Sequence, residues 1–314
     1  MRDHPLFAWT RPDTSGWDGA VATDTLTEVF EEYRPVLTGV AYRMLGRVAD
    51  AEDVVQEAWL RWSGADRSDV REPRGYLVRV TTRLAIDRLR LAQSRKEAYV
   101  GPWLPEPYVT DFGATVPDTA EQAVLADSVS LAVLVVLESL SPLERAVFVL
   151  REAFGYPYAD IAVTLDRSES AVRQLAGRAR RHVEEKRPRY EVDPAEQRDL
   201  TERFLAAATE GDIDGLMSLL APDVRLVGDS GGLAQAPLRV LESADKVGRF
   251  IAGISRKGVA DASFRFLEVN GGPALVVLSG DKPDSVLQLD VVNGRIQCVY
   301  IIRNPEKLLS LAVD

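Results

Sequence analysis

D50-A-E-D-V-V-Q-E-A-W-L-R-W62 and, beyond a polar loop, P73-R-G-Y-L-V-R-V-T-T-R-L-A-I-D-R-L-R90 are two helical segments of opposite charge. In the first, Val55, Trp59 and Trp62 fall at i, i+4, i+7 and predict a buried stripe, while Asp50, Asp53, Glu57 and Arg61 share another side. In the second, Leu77, Leu84 and Leu91 repeat at seven with Val80 between them, and Arg79, Arg83 and Arg90 project outward. A charged outer face is what any solvated helix shows, and acids near a helix start gain about 0.3–1 kcal/mol each from the macrodipole. Charge bookkeeping adds more. The span from Arg71 to Lys96 holds eight basic and two acidic residues, in a chain whose net charge is -10. Basic charge concentrated against an acidic background points to a polyanionic partner.

The two segments, D50 to W62 and Y76 to R90, resemble the second conserved region of bacterial extracytoplasmic-function (ECF) sigma factors. The resemblance implies that the acidic helix docks on the beta-prime clamp helices of core RNA polymerase through Asp50, Glu52, Asp53, Gln56, Glu57 and Trp59. It implies also that Arg79, Arg83, Arg88 and Arg90 face promoter DNA at the minus-10 element. Many relatives carry Asn where this chain has Arg83, a departure at a base-reading position.

A length of 314 residues suggests two or three folding units, and 46% hydrophobic content supplies their cores. The N-terminal M-R-D-H-P-L-F-A-W-T-R-P lacks the apolar run and cleavage site of a secretory signal. No stretch reaches the roughly 18 apolar residues of a membrane span. A cytoplasmic protein without a membrane partner is expected. One cysteine, Cys298, and two histidines, His4 and His182, leave no disulfide framework, and neither a metal nor a cofactor is expected. Cys298 sits in a strand-like run and reads as an inert core thiol.

Residues 1–22 read as a tail, and residues 23–96 as a helical domain opened by T25-L-T-E28, which has the capping-box form. A linker over 97–120 contains G101-P-W-L-P-E-P-Y108, whose prolines forbid helix and favour an extended chain. Exposing Trp103, Leu104 and Tyr108 would cost hydrophobic free energy. Two readings fit: docking against another domain, or incidental packing on the nearer one.

A second helical domain spans 121–188. Helical order resumes at Glu121, D127-S-V-S-L-A-V-L-V-V-L-E-S-L140 is apolar on most sides, and S141-P-L-E144 is a capped helix start. Y158-A-D-I-A-V-T-L165, a short turn and S168-E-S-A-V-R-Q-L-A-G-R-A-R-R-H-V183 form a helix-turn-helix pattern. Its outer face offers Ser168, Ser170, Arg173, Gln174, Gly177, Arg178 and Arg181. Arg and Gln present planar, two-point hydrogen-bonding ends suited to base edges and phosphates. The segment resembles the fourth region of the same sigma family, which implies minus-35 recognition by this helix. Asp166 stands where a turn Gly is frequent, and Asp tolerates the left-handed conformation.

Residues 189–314 form a third unit. P194 to L220 predicts two helices, and strand-like runs follow at about 261–269, 274–279, 285–292 and 295–303, the last two joined by the hairpin signal N293-G294. Two or three helices on a curved antiparallel sheet make an α+β cone with room for a pocket. F204-L-A-A-A-T-E-G-D-I-D-G-L-M-S-L-L-A-P-D-V224 resembles the start of the SnoaL-like (polyketide cyclase-like, NTF2-like) fold. This unit has no histidine, and Asp223, Asp229, Asp290 and Tyr300 each have an ordinary explanation, so an enzyme is not expected. The architecture expected is therefore multidomain: two all-α domains followed by an α+β cone.

W103-L-P-E-P107 and N304-P-E-K-L308, with D229-S-G-G232 as a looser match, resemble motifs of the ECF subgroup carrying such a fused domain. That resemblance implies intramolecular regulation through Trp103, Leu104, Pro105, Glu106 and Pro107 on one side. On the other side it implies Asp229, Gly231, Gly232, Asn304, Pro305, Glu306, Lys307 and Leu308, with a small molecule of unknown identity in the pocket. Two rival readings stand beside it: a one-component ligand-sensing helix-turn-helix regulator, and an isomerase or cyclase with DNA-binding decoration.

Overall fold

The computed structural model describes residues 17–64, 70, 72–110, 130–186 and 194–311. The first helical domain comprises α1 (Trp17–Leu45), α2 (Val48–Gly64) and α3 (Pro73–Glu97). Helix α1 starts inside the expected tail, so Thr25 to Glu28 lies within a continuous helix rather than at its start. A hydroxyl and a carboxylate three apart also occur mid-helix, where the backbone donors are already satisfied. The rest of the tail, 1–16, lies outside the described residues.

Helix α2 buries Val55 and Trp62 of the expected stripe together with Ala51, Val54 and Ala58, and leaves Trp59 half-buried. Helix α3 departs from its expected heptad: Leu77, Leu84 and Leu89 are buried, but Leu91 is 68% exposed. A straight helix drifts about 20° per heptad, so two heptads carry Leu91 off the buried stripe.

The second helical domain holds α4 (Leu131–Leu137), α5 (Pro142–Phe148) running into a π-helical turn (Val149–Ala153), α6 (Tyr158–Leu165) and α7 (Glu169–Lys186). Within the helix expected over 127–140, the described part runs from a cap at Ser130, whose Oγ accepts from Val133 N at 3.3 Å, to Leu137, where it ends short of Leu140. The expected start at Glu121, residues 127–129, the linker beyond Thr110 and the boundary at Pro188 lie outside the described residues. Ser141 forms the predicted capping box with Glu144. Asp166 takes φ 54° and ψ 55°, the left-handed conformation that closes α6. The two helical domains share one apolar core, from Phe30, Leu37 and Met44 through Leu84 to Leu150, Ile161 and Val172.

The C-terminal domain packs α8 (Pro194–Glu210), α9 (Ile213–Leu219) and α10 (Ala244–Lys257) on a sheet of β1 (Leu220–Asp229), β2 (Leu241–Glu242), β3 (Ala262–Val269), β4 (Gly272–Ser279), β5 (Lys282–Val292) and β6 (Arg295–Ile302). The strand order is β2-β1-β6-β5-β4-β3. The sheet is mixed rather than antiparallel throughout, because β1 runs parallel to β6. Strand β1 escapes sequence reading because Pro222 interrupts it; the ladder skips from Leu220 to Arg225 there, the irregularity a strand proline requires.

Alternation along the strands gives the sheet two apolar faces. Leu226, Leu289, Val299 and Ile301 pack under the helices with Phe204, Leu216, Val247 and Ile251. Val227, Val276, Val286, Tyr300 and Ile302 face the other way and pack on Leu104 of the linker, Leu131 and Ala132 of α4, and Leu308. The sheet is thus fastened to the helical domains by its outer face.

Candidate functional site

The linker lies in a cleft between all three domains. Asp229, at the end of β1, is 0% exposed, and its Oδ2 accepts from Leu104 N at 2.7 Å and from Lys307 Nζ at 2.7 Å. Its Oδ1 accepts from Tyr99 Oη at 2.5 Å. Lys307 Nζ also donates to Leu104 O at 2.5 Å and stands 3.3 Å from the centre of the Trp103 ring. Trp103 meets Tyr99 edge to face at 4.7 Å. A buried carboxylate and ammonium are costly to desolvate, and here each is saturated by the partner plus linker backbone. Burial pulls the Lys307 ammonium down to about 8, against the opposing pull of Asp229.

Two glycines make this approach feasible. Gly231 and Gly232 have φ of 58° and 77°. A Cβ on Gly231 would sit 2.7 Å from Asn304 Nδ2 and 2.9 Å from Tyr99 Oη, and one on Gly232 would meet Val100 at 3.2 Å. Ser230 is buried and its Oγ accepts from Gly232 N at 3.3 Å, which accommodates the departure from a run of glycines. Asn304 donates to Tyr99 Oη at 2.7 Å and caps the short 3₁₀ turn through Glu306 N at 3.0 Å. Pro305 and Glu306 are exposed and shape that turn, whereas Leu308 is buried in the shared cluster.

The other half of the linker engages the first helical domain. Glu106 Oε2 accepts from Val48 N at 3.0 Å, capping the helix that carries the acidic face. Glu106 N donates to Gly46 O at 2.8 Å, and Tyr42 Oη donates to Glu106 O at 2.6 Å. Burial raises the Glu106 carboxyl, with the Val48 amide opposing. Pro105 and Pro107 are buried beside it. Asn270, at φ 53° in the β3–β4 turn, donates to Tyr42 Oη at 2.6 Å and pairs with Tyr108 through N–H···O at 2.8 Å. Arg145 of α5 reaches Met44 O at 2.7 Å, so the α1–α2 corner touches every unit. Tyr42, Tyr99, Asn270 and Arg145 went unnoticed in the sequence because each is polar and isolated and has partners that tertiary packing brings from another unit.

Burial holds the Tyr42 and Tyr300 phenols above their ordinary range. Unfolded phenols lose their protons near pH 10. Their contribution is therefore complete below about pH 10 and lost as pH rises further, because the unfolded state then binds fewer protons. Alkaline titration is expected to show these two tyrosinates appearing together with loss of helical signal; their ionisation in a still-folded chain would contradict the assignment.

On α2, Glu52, Asp53, Gln56 and Glu57 are exposed. The Asp50 side chain is 13% exposed and bound to Arg88 at 3.2 Å, and Asp53 is bound to Arg88 at 2.5 Å. Trp59 is half-buried against Phe30 at 5.1 Å. Arg88 thus lies between α2 and α3 as a counter-ion to both carboxylates. On α3, Arg90 is exposed and paired with Asp87 at 3.1 Å, and Arg79 lies over Tyr76 at 5.6 Å. Arg83 Nε donates to Thr164 O at 2.8 Å, joining α3 to the end of α6.

On α7, Ser168, Ser170, Arg173, Gln174, Gly177, Arg178 and Arg181 are all exposed along one side. Ser168 caps the helix through Ala171 N at 3.2 Å. Arg173 is held by Glu169 at 2.5 Å over the Tyr158 ring, and Arg178 by Glu144 at 3.0 Å. Surface pairs of this kind are worth little.

A cavity of ≈ 550 Å³ opens between α8, α10 and the sheet, lined by Phe204, Phe250, Leu275, Val277 and Ile301 with Asp284 and Arg303. Asp223, Asp229, Asp290 and Tyr300 are not among its lining residues. Cys298 is buried, and burial pushes its thiol up to about 11. Among the described residues no helix is long and apolar enough to cross a membrane, and no group of three His, Cys, Asp or Glu could hold a metal.

Comparison with known proteins matches residues 29–95 to sigma-70 region 2 and residues 130–183 to sigma-70 region 4. The chain is 42% identical over 289 residues to ECF RNA polymerase sigma factor SigJ of Mycobacterium tuberculosis, covering 88% of this chain and 91% of that one. It is 35% identical to the probable ECF RNA polymerase sigma factor SigI of the same organism, covering 93% and 97%. The crystal structure of M. tuberculosis SigJ superposes with a TM-score of 0.73 at 38% identity, covering 90% of this chain and 98% of that one.

Proposed function

Since the chain belongs to the ECF RNA polymerase sigma factors, we propose that it binds core polymerase through α2, directs initiation at its own promoters through α3 and α7, and is regulated by its C-terminal domain. The polymerase surface is the open acidic strip of Glu52, Asp53, Gln56 and Glu57, set against the beta-prime clamp helices. Base and phosphate contacts fall to Arg79, Arg83 and Arg90 at the minus-10 element and to Arg173, Gln174, Arg178 and Arg181 at minus-35. This work takes place in the cytoplasm, where the polymerase is.

The observation that carries the regulatory half is the burial of the linker between Asp229, Lys307 and the α1–α2 corner. Promoter recognition needs α3 and α7 to reach two DNA elements together. In the compact arrangement Arg83 is occupied by Thr164 and the two helical domains share a core. Engagement of DNA by Arg83 draws on an opened state, and the linker clamp sets how often that state is reached. The C-terminal cone acts as regulator rather than enzyme: of its described cavity-lining residues the carboxylate is Asp284, already bound to Arg303 at 2.7 Å.

Run-off transcription with purified core polymerase, on promoter fragments selected by binding, tests this. The full chain is expected to start transcripts at a defined site, and a chain lacking 195–314 to do so with altered yield. An unaltered yield would remove the regulatory half. Specific DNA binding without any polymerase binding would instead favour the one-component regulator.

A further inference from the structure

We propose that the cavity of the C-terminal domain binds an uncharged, largely apolar small molecule bearing a hydrogen-bonding group, and that the 230–240 loop transmits its occupancy to the linker. This deepens the regulatory reading above, on which it rests, by naming the class of ligand and the route.

The cavity volume of ≈ 550 Å³ falls within the range of small-molecule sites, about 300–1,000 Å³. Its wall is apolar apart from a few groups. Arg303 Nη2 and Asp284 Oδ1 bond each other at 2.7 Å, so this pair presents no net charge, and Ser285 adds a hydroxyl. An anion entering here would meet Asp284 as well as Arg303, and a cation the reverse. Either would surrender its hydration while facing a charge of its own sign. Lys257, the remaining cation on the wall, is exposed at the end of α10 and keeps its own hydration. A neutral molecule gains the apolar burial without that penalty and orients on the polar pair.

The route follows from what Arg303 and the loop hold. Arg303 Nη1 donates to Gln235 O at 2.9 Å, and its backbone N–H donates to Asp229 O at 2.7 Å. Asp229 is the residue whose carboxylate grips Leu104 N and Lys307. The loop leaves the clamp at Gly231 and Gly232, supplies Gln235, Ala236 and Pro237 to the cavity wall, and then lays Leu238 against Gly101. Pro237 is pressed on β1 so closely that a Cβ on Gly228 would lie 2.8 Å from its Cδ. A molecule that shifts Pro237 or Arg303 therefore moves the frame of Asp229 and the linker together.

The test uses the full chain with Nile red, a neutral apolar dye, as probe, and hydrogen exchange read over 99–110 and 204–209. Expected are saturable dye binding, protection of 204–209, and a change in exchange over 99–110. Ala208→Phe and Val277→Phe, which fill the cavity from opposite walls, are expected to weaken binding by about tenfold or more. No saturable binding, or binding that leaves 204–209 unprotected, would overturn the site. Protection of 204–209 with unchanged exchange over 99–110 would overturn the coupling, even if both variants failed to fold. Neither readout involves polymerase or DNA, so its failure is distinct from a failure of run-off transcription.

Discussion

Lys307→Met is expected to lower the unfolding free energy by about 3–5 kcal/mol, the usual consequence of leaving a buried charge without its partner. The side chains of Lys307 and Asp229 are 1% and 0% exposed, so solvent cannot take the place of the lost ammonium. The variant also gives up the donor to Leu104 O and the cation beneath the Trp103 ring. Asp229→Asn in the Lys307→Met background removes the stranded carboxylate and is expected to recover part of the loss, because Leu104 N can still donate to the amide oxygen while the amide NH2 donates to Tyr99 Oη. Urea unfolding of the two single variants and the double supplies the cycle. A loss below about 1 kcal/mol for Lys307→Met would place the pair among dispensable contacts.

Reversing Glu52 and Glu57 to lysine together is expected to weaken core polymerase binding by roughly 100-fold or more while moving stability by no more than about 0.5 kcal/mol each. Both side chains are exposed, and Glu57 gives up only an exposed pair with Arg61 at 2.7 Å. Direct binding to core polymerase and thermal unfolding separate the two quantities. Equal binding by the reversed chain would mean that α2 is an ordinary solvated helix, and the polymerase surface would have to be sought elsewhere.

The helices were legible where burial follows a 3.6-residue period, as in Val55 and Trp62, and where caps are local, as at Ser141. Reading failed where a pattern had two structural meanings. Thr25 and Glu28 look like a helix start and lie mid-helix, and Leu91 continues a heptad that a straight helix does not keep. Strand β1 was hidden by Pro222, which is tolerated because the ladder breaks there. The clamp was legible through the family resemblance, which set the linker motif opposite the two C-terminal motifs. Nothing local in Asp229, Leu104 or Lys307 says that they meet, since their partners are supplied by tertiary packing. For the same reason Arg88, outwardly one more arginine on a basic stripe, spends its charge on Asp50 and Asp53.

The clamp joins Leu104 to Lys307 across 203 positions. At a synthesis rate of about 5–20 residues per second, roughly 10–40 s separate the emergence of those two residues. For the last part of that interval, after Lys186 has been made, the helical half of a nascent chain is complete while its latch has not been made. Leu104, Leu131 and Ala132 meanwhile await the sheet that will cover them. Each new molecule thus begins life unlatched, and the pace of translation sets how long it stays so.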